Sequence, residues 1–228
     1  MAKKLTKEEL EQDALLNSYS KIQEFYFEHK TVIISSAVAI ILAIGLAIGY
    51  HYWQKSQNKE ALRLMSDAQT YFRQGQFENA LNGSEEDFTV GFVQIINEYG
   101  GTKAGNLARY YAAVSAYNLG NIEKALDYIA AYNPPEGILG VASVSFHGTL
   151  QMAAGNFEKA AELFIEAAEM DLNESTTPFN YLEAARAYRE AGNTEAAVKY
   201  AELVLEKYSN SAQAAEAEKL LGLLQAGS

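Results

Sequence analysis

The chain has 228 residues, 49% of them hydrophobic, so it is long enough to bury a core in one or two domains. Its net charge of −11 argues against a nucleic-acid binder, since phosphate needs clustered lysine and arginine. It has no cysteine, which excludes disulfides, zinc–thiolate sites and thiol catalysis. Residues 1–30 carry five lysines against six carboxylates and read as a short tail. Residues 31–50, TVIISSAVAIILAIGLAIGY, carry no charge at all. At about 1.5 Å per helical residue they cover about 30 Å, the thickness of bilayer hydrocarbon. Lys30 precedes this run; His51, Tyr52, Trp53 and Lys55 follow it, an aromatic and basic belt suited to lipid headgroups. The apolar run is too long, and the preceding tail too acidic, for a cleaved secretory signal. A transmembrane helix over 31–53 is therefore expected, with the lipid bilayer as its surroundings.

The span is two-sided. Ile33, Ile34, Ile40, Ile41, Ile44 and Ile48 share one sector of the helix. Ser35, Ala39, Ala43 and Ala47 recur every fourth residue on the other side, with Gly45 and Gly49 beside them. Small residues admit a neighbouring helix, so these six are the candidate packing face for a membrane protein partner. Charge does not settle the orientation: Lys21 and Lys30 stand before the span, and Lys55, Lys59 and Arg63 after it.

Beyond the span, apolar residues keep helical spacing and strand alternation is absent. Phe88, Phe92, Ile95, Ile96 and Tyr99 form a stripe that predicts a helix over 86–99. Gly100-Gly101 ends it, and Thr102 can cap the next. One phrase recurs: RQGQFENAL at 73–81, NLGNIEKAL at 118–126, AAGNFEKAA at 153–161 and EAGNTEAAV at 190–198. In each, a glycine suited to left-handed backbone ends one helix: Gly75, Gly120, Gly155, Gly192. Asn121, Asn156 and Asn193 can then cap a second helix, and Glu123, Glu158 and Glu195 suit its dipole. Ala125, Ala160 and Ala197 are small where the two helices meet. The glycines stand 45, 35 and 37 residues apart, a spacing that predicts an array of helix hairpins.

The phrase resembles the tetratricopeptide repeat, of about 34 residues. The copy at 141–174 matches through Gly148, Ala160, Phe164 and Ala167, with Gln151 where an aromatic is usual and Leu172 where proline is. The copy at 178–211 has Ala185, Tyr188, Ala197 and Ala201. The copy at 106–137 has Ala113, Ala125 and Ile129, and closes on Pro134-Pro135. The copy at 61–82 is broken: Ala68 and Tyr71 fit, but its second helix stops at Asn82-Gly83-Ser84. Residues 211–226 read as a capping helix. The expected architecture is all-α: one N-terminal transmembrane helix, then a tetratricopeptide-like α-solenoid over 54–228 with a C-terminal cap.

The layout as a whole, with INEYGGTKAGNLARYYAAVSAYNLGN at 96–121, is similar to the ancillary Sec-translocon subunit family of bacterial envelopes. That resemblance implies a single-pass protein of the inner membrane, its tail in the cytoplasm and its repeats in the periplasm. It implies translocon subunits and a membrane-anchored folding factor as partners, and a chaperone-like role in protein export.

Nothing in the sequence points to an enzyme. His29 and His51 flank the span, and His147 lies mid-helix among Phe146, Gly148 and Leu150. No HExxH, no GxSxG and no cofactor motif is present. GGTKAGN at 100–106 reads as a helix stop and a cap. Glu162, Glu166 and Glu169 read as a solvated stripe. A repeat array binds through the first helices of its hairpins. By repeat position that wall is Tyr110, Val114, Tyr117, Ser145, Thr149, Met152, Leu182, Arg186 and Arg189, aromatic at one end and basic at the other. Such a wall suits an unfolded or extended polypeptide. The alternative use of the same array is a permanent structural subunit or assembly factor of another membrane complex.

Overall fold

The computed structural model describes residues 7–226, with side chains from Tyr19 onward. The first six residues of the expected tail lie outside the described residues. Two compact units divide at Ser56: Met1–Ser56 and Gln57–Ser228.

Helix α1 runs Lys7–Arg73 and leaves helical backbone only at His29 (φ −110°, ψ 15°). No proline occurs before Pro134, so nothing in this stretch removes a helical hydrogen bond. The tail is thus helical from Lys7, and the helix runs past the expected end of the span. In the first unit Ile40, Ile41, Ile44, Leu46 and Ile48 are all exposed. Phe25 meets His29 edge-on at 4.6 Å on one side of this stretch, and Tyr50 lies 5.8 Å from Trp53 on the other. Among the described helices, this one is long and apolar enough to cross a bilayer.

The second unit is a succession of hairpins. The last turns of α1 pair with a single short helix, α2 (Phe77–Asn82). Then come a two-stranded hairpin, β1 (Gly83–Ser84) with β2 (Thr89–Val90), and α3 (Phe92–Tyr99). The remaining helices are α4 (Lys103–Asn118), α5 (Ile122–Ala130), α6 (Ile138–Ala153), α7 (Phe157–Met170), α8 (Thr177–Glu190), α9 (Thr194–Lys207) and α10 (Ala214–Ala226). The helix expected over 86–99 therefore begins only at Phe92. Gly91 explains why. A Cβ at that position would stand 2.3 Å from the Leu81 carbonyl oxygen, so the hairpin closes back onto the end of α2. Phe88, expected on the helical stripe, sits in the turn instead, 95% exposed.

The repeated phrase is a helix-to-helix turn with one geometry. Gly75, Gly120, Gly155 and Gly192 all have φ between 73° and 78°. At Gly155, for example, the glycine N–H donates to Met152 O (3.0 Å) and the Asn156 N–H to Gln151 O (2.9 Å), a Schellman closure repeated at the other three. Thr102, Asn121 and Asn193 cap the following helices by accepting from Gly105, Lys124 and Ala196 N–H. Asn156 does not: its side-chain amide donates to Gln151 Oε1 (2.9 Å) instead. Ala80, Ala125, Ala160 and Ala197 are fully buried where the two helices touch.

Cores lie between successive hairpins. In the broken copy, Ala61, Met65 and Ala68 of α1 pack with Leu81, Phe92, Ile95, Ala104 and Ala108. Phe92 stacks on Tyr111 at 5.3 Å and 15°, while Phe72 meets both rings edge-on. Full burial of such a side chain stabilises by about 1.5–3 kcal/mol. Helix α3 thus fills the space that the shortened α2 leaves. The Asn106 and Asn133 pair bridges α4 to the loop before α6 reciprocally: Asn106 Nδ2 donates to Asn133 O (2.8 Å), and Asn133 N–H donates to Asn106 Oδ1 (2.9 Å). After α7 the usual proline is absent, and Asn173 closes the unit. Its Oδ1 accepts from Ser175 and Thr176 N–H, and its Nδ2 donates to Asp171 O and Thr176 Oγ1. Gly148 lets α6 and α7 approach, since a Cβ there would lie 3.0 Å from the Phe164 ring.

Candidate binding face

Helices α6 and α8, the first helices of two successive hairpins, line a cavity of about 420 Å3. Val141, Ser145, Phe146 and Thr149 come from α6, and Phe179 and Asn180 from the first turn of α8. Ser175, Thr176 and Gln213 complete the rim. The lining carries no charged side chain. Thr149 Oγ1 donates to Ser145 O (3.2 Å), so its hydroxyl oxygen remains open to a donor. Asn180 is 1% exposed; its Nδ2 donates to Thr176 O (2.9 Å), while Oδ1 has no partner within the protein. Phe179 is 43% exposed and offers an aromatic face to any occupant.

Of the residues expected on the wall, Ser145 and Thr149 line this cavity. Tyr110 and Tyr117 reach it through Phe146, whose ring lies 6.0 Å from one and 5.7 Å from the other, both edge-on. Tyr110 also meets Tyr132 at 5.6 Å, and burial raises its phenol pKa, with Tyr111 adding to the shift. Val114 is half-buried beside them. One expectation needs correction. Leu182 is 1% exposed and packs with Tyr181, Ala201, Val204 and Leu221, because the cap helix covers that side of α8. Met152 is half-buried against the Ala160, Ala161 and Phe164 cluster. At the basic end, Arg186 pairs with Glu183 (2.5 Å) and with Glu216 of α10, and Arg189 with Glu190 (2.5 Å). Arg186 and Arg189 line a separate cavity of about 410 Å3 with Glu216, Lys219, Leu220 and Leu223.

Phe146, Phe179, Asn180 and Gln213 are among the lining residues that repeat position does not reveal. Phe179 could have been found one helical turn before Leu182, beside Pro178. Gln213 lies between α9 and α10, where no repeat register applies.

In the first unit, Ser35, Ala39, Ala43, Gly45, Ala47 and Gly49 are all exposed. Ser35 satisfies its hydroxyl on Val32 O (3.0 Å). A Cβ at Gly45 or Gly49 would meet nothing within 4 Å.

His147 is half-buried. Burial holds its pKa below 6.5, the Lys159 charge adds to this, and its Nε2 contacts the Gln151 amide (3.2 Å). Among the described residues no group of three or more His, Cys, Asp or Glu is placed to hold a metal ion.

The tetratricopeptide repeat family model matches residues 180–211, which take in most of α8, the turn, α9 and the start of the loop to α10. No curated protein matches the chain. Among solved structures, the TPR-like repeats of a Podosopora anserina putative kinesin light chain superpose with a TM-score of 0.53 at 17% identity, covering 74% of this chain and 95% of that one. A glutamine-to-methionine variant of those repeats gives 0.54 at 17% identity, over 74% and 94%. The fold is a tetratricopeptide-like α-solenoid, an architecture that serves as a scaffold for binding other proteins.

Proposed function

We propose that this protein is a non-catalytic, membrane-anchored adaptor whose concave face holds an extended segment of another polypeptide. In this reading it serves as an accessory subunit of the protein-export translocon with a chaperone-like role. The observation that carries the binding reading is the uncharged cavity between α6 and α8. Its aromatic rings take apolar side chains, and its hydroxyls and amides take main-chain groups. An uncharged lining makes no demand for one charge pattern, which suits segments of varied sequence.

Helix α1 supplies the anchor, with the Ser35–Gly49 face against a partner's membrane helix. The export role rests on the resemblance of residues 96–121 and of the layout to the translocon-associated family. On that reading the anchor sits in the bacterial inner membrane and the repeats in the periplasm, beside translocon subunits and a membrane-anchored folding factor. Purification of the full-length protein from mild detergent, with mass spectrometry of its companions, tests this. Translocon subunits are expected in stoichiometric amounts, and their absence would sink the export role while leaving the groove to be tested with peptides.

A further inference from the structure

The hairpin between α2 and α3 breaks two local rules at one residue. Phe88 has φ 52°, the left-handed backbone that glycine, asparagine and aspartate accept and a bulky aromatic does not. It is also 95% exposed, so its ring gains nothing from burial. Among the described residues no other aromatic ring pairs with it.

The turn does not need this side chain. Ser84 N–H donates to Thr89 Oγ1 (3.2 Å), Asp87 N–H to Ser84 Oγ (3.3 Å) and Phe88 N–H to Glu85 O (3.4 Å). The Tyr71 hydroxyl donates to the Asp87 carboxylate, tying the tip to the end of α1. The tip is therefore held by bonds that do not involve the Phe88 ring, and the ring it presents weakens the fold at its own position. A local choice that opposes the fold and gains nothing inside it points to a contact outside it.

The flanking charges say what kind of contact. Glu85 and Glu86 are exposed on the same tip, while Asp87 is held by Tyr71 and Ser84. Two free carboxylates beside an aromatic ring oppose an anionic lipid surface and favour a cationic rim. A second copy is a poor match, since the chain carries a net charge of −11. We propose that the tip, residues 84–89, is a docking finger, with Phe88 entering an apolar pocket on a partner protein whose rim carries lysine or arginine. A phenylalanine has only two side-chain torsions to order on binding and makes an effective anchor. This contact is separate from the α6–α8 face and does not depend on it.

The test places photoreactive p-benzoyl-phenylalanine at position 88 of the full-length protein in intact cells. A discrete protein adduct is expected, mapping to a partner segment that carries lysine or arginine. Changing Glu85 and Glu86 together to lysine should weaken it by about fivefold or more. The partner so identified should co-purify with the native protein and be lost with Phe88→Asn, while that variant melts no lower than the native protein, which separates lost docking from lost folding. Lipid adducts alone, an adduct to a second copy, no adduct, an adduct undiminished by the glutamate changes, or a partner retained by Phe88→Asn would overturn the proposal.

Discussion

Asn121, Asn156 and Asn193 occupy the same place in three copies of one phrase, yet only two of them cap. Asn121 accepts from Lys124 N–H and Asn193 from Ala196 N–H, both at 3.1 Å. Replacing either by alanine should cost about 1 kcal/mol, the usual loss for a side-chain cap. Asn156→Ala should cost clearly less, because its side-chain amide turns to the half-buried Gln151 and caps no backbone N–H. Urea melts of the three variants check the ranking. His147 gives a second residue-scale expectation. Its folded pKa lies below 6.5, by burial first and Lys159 second. The unfolded chain thus takes up a proton that the folded chain resists. Stability is full above about pH 6.5 and falls as the pH drops through that value toward the lower folded pKa. The melting temperature of the native protein should fall between about pH 7.5 and 5.5 by more than that of His147→Gln.

At the scale of elements, the order of helices and turns is legible because each boundary is written in local chemistry. Glycine at left-handed backbone, asparagine after it and alanine at the crossing mark the hairpins, whatever surrounds them. The 86–99 segment misleads because Phe88 extends a helical spacing by chance, whereas Gly91 forbids helix only through its contact with Leu81, ten residues back. The wall is half legible for a related reason. Repeat position says which face of a helix points inward, but not which neighbour covers it. Leu182 lies on the expected face, and α9 and α10 close over it. Leu182→Ala should therefore cost about 2–5 kcal/mol of stability, as buried leucine truncations do. Phe179→Ala, at an exposed lining position, should change stability by less than about 1 kcal/mol and weaken peptide binding. Denaturant melts and fluorescence anisotropy with a labelled extended peptide separate the two outcomes.

For the molecule as a whole, one helix belongs to both units: α1 gives Ala61, Met65 and Ala68 to the first core of the solenoid and is apolar enough upstream to cross a bilayer. The proposed topology predicts that protease added to spheroplasts digests the repeats but spares an epitope on the N-terminal tail. An intact solenoid in spheroplasts, digested only after lysis, would reverse the proposed orientation.

From α2 onward, the main contacts between helices join helices no more than two apart in helix order. That restricts the loops the chain must close, and with them the entropy barrier to folding. Each pair of helices can zip as soon as its own turn is free, without waiting for a distant segment. A chain delivered end-first, from a ribosome or through a narrow pore, can thus acquire its structure in the order in which it arrives. The shortened α2 fits the same timetable: what completes its core, α3, is the next helix to emerge.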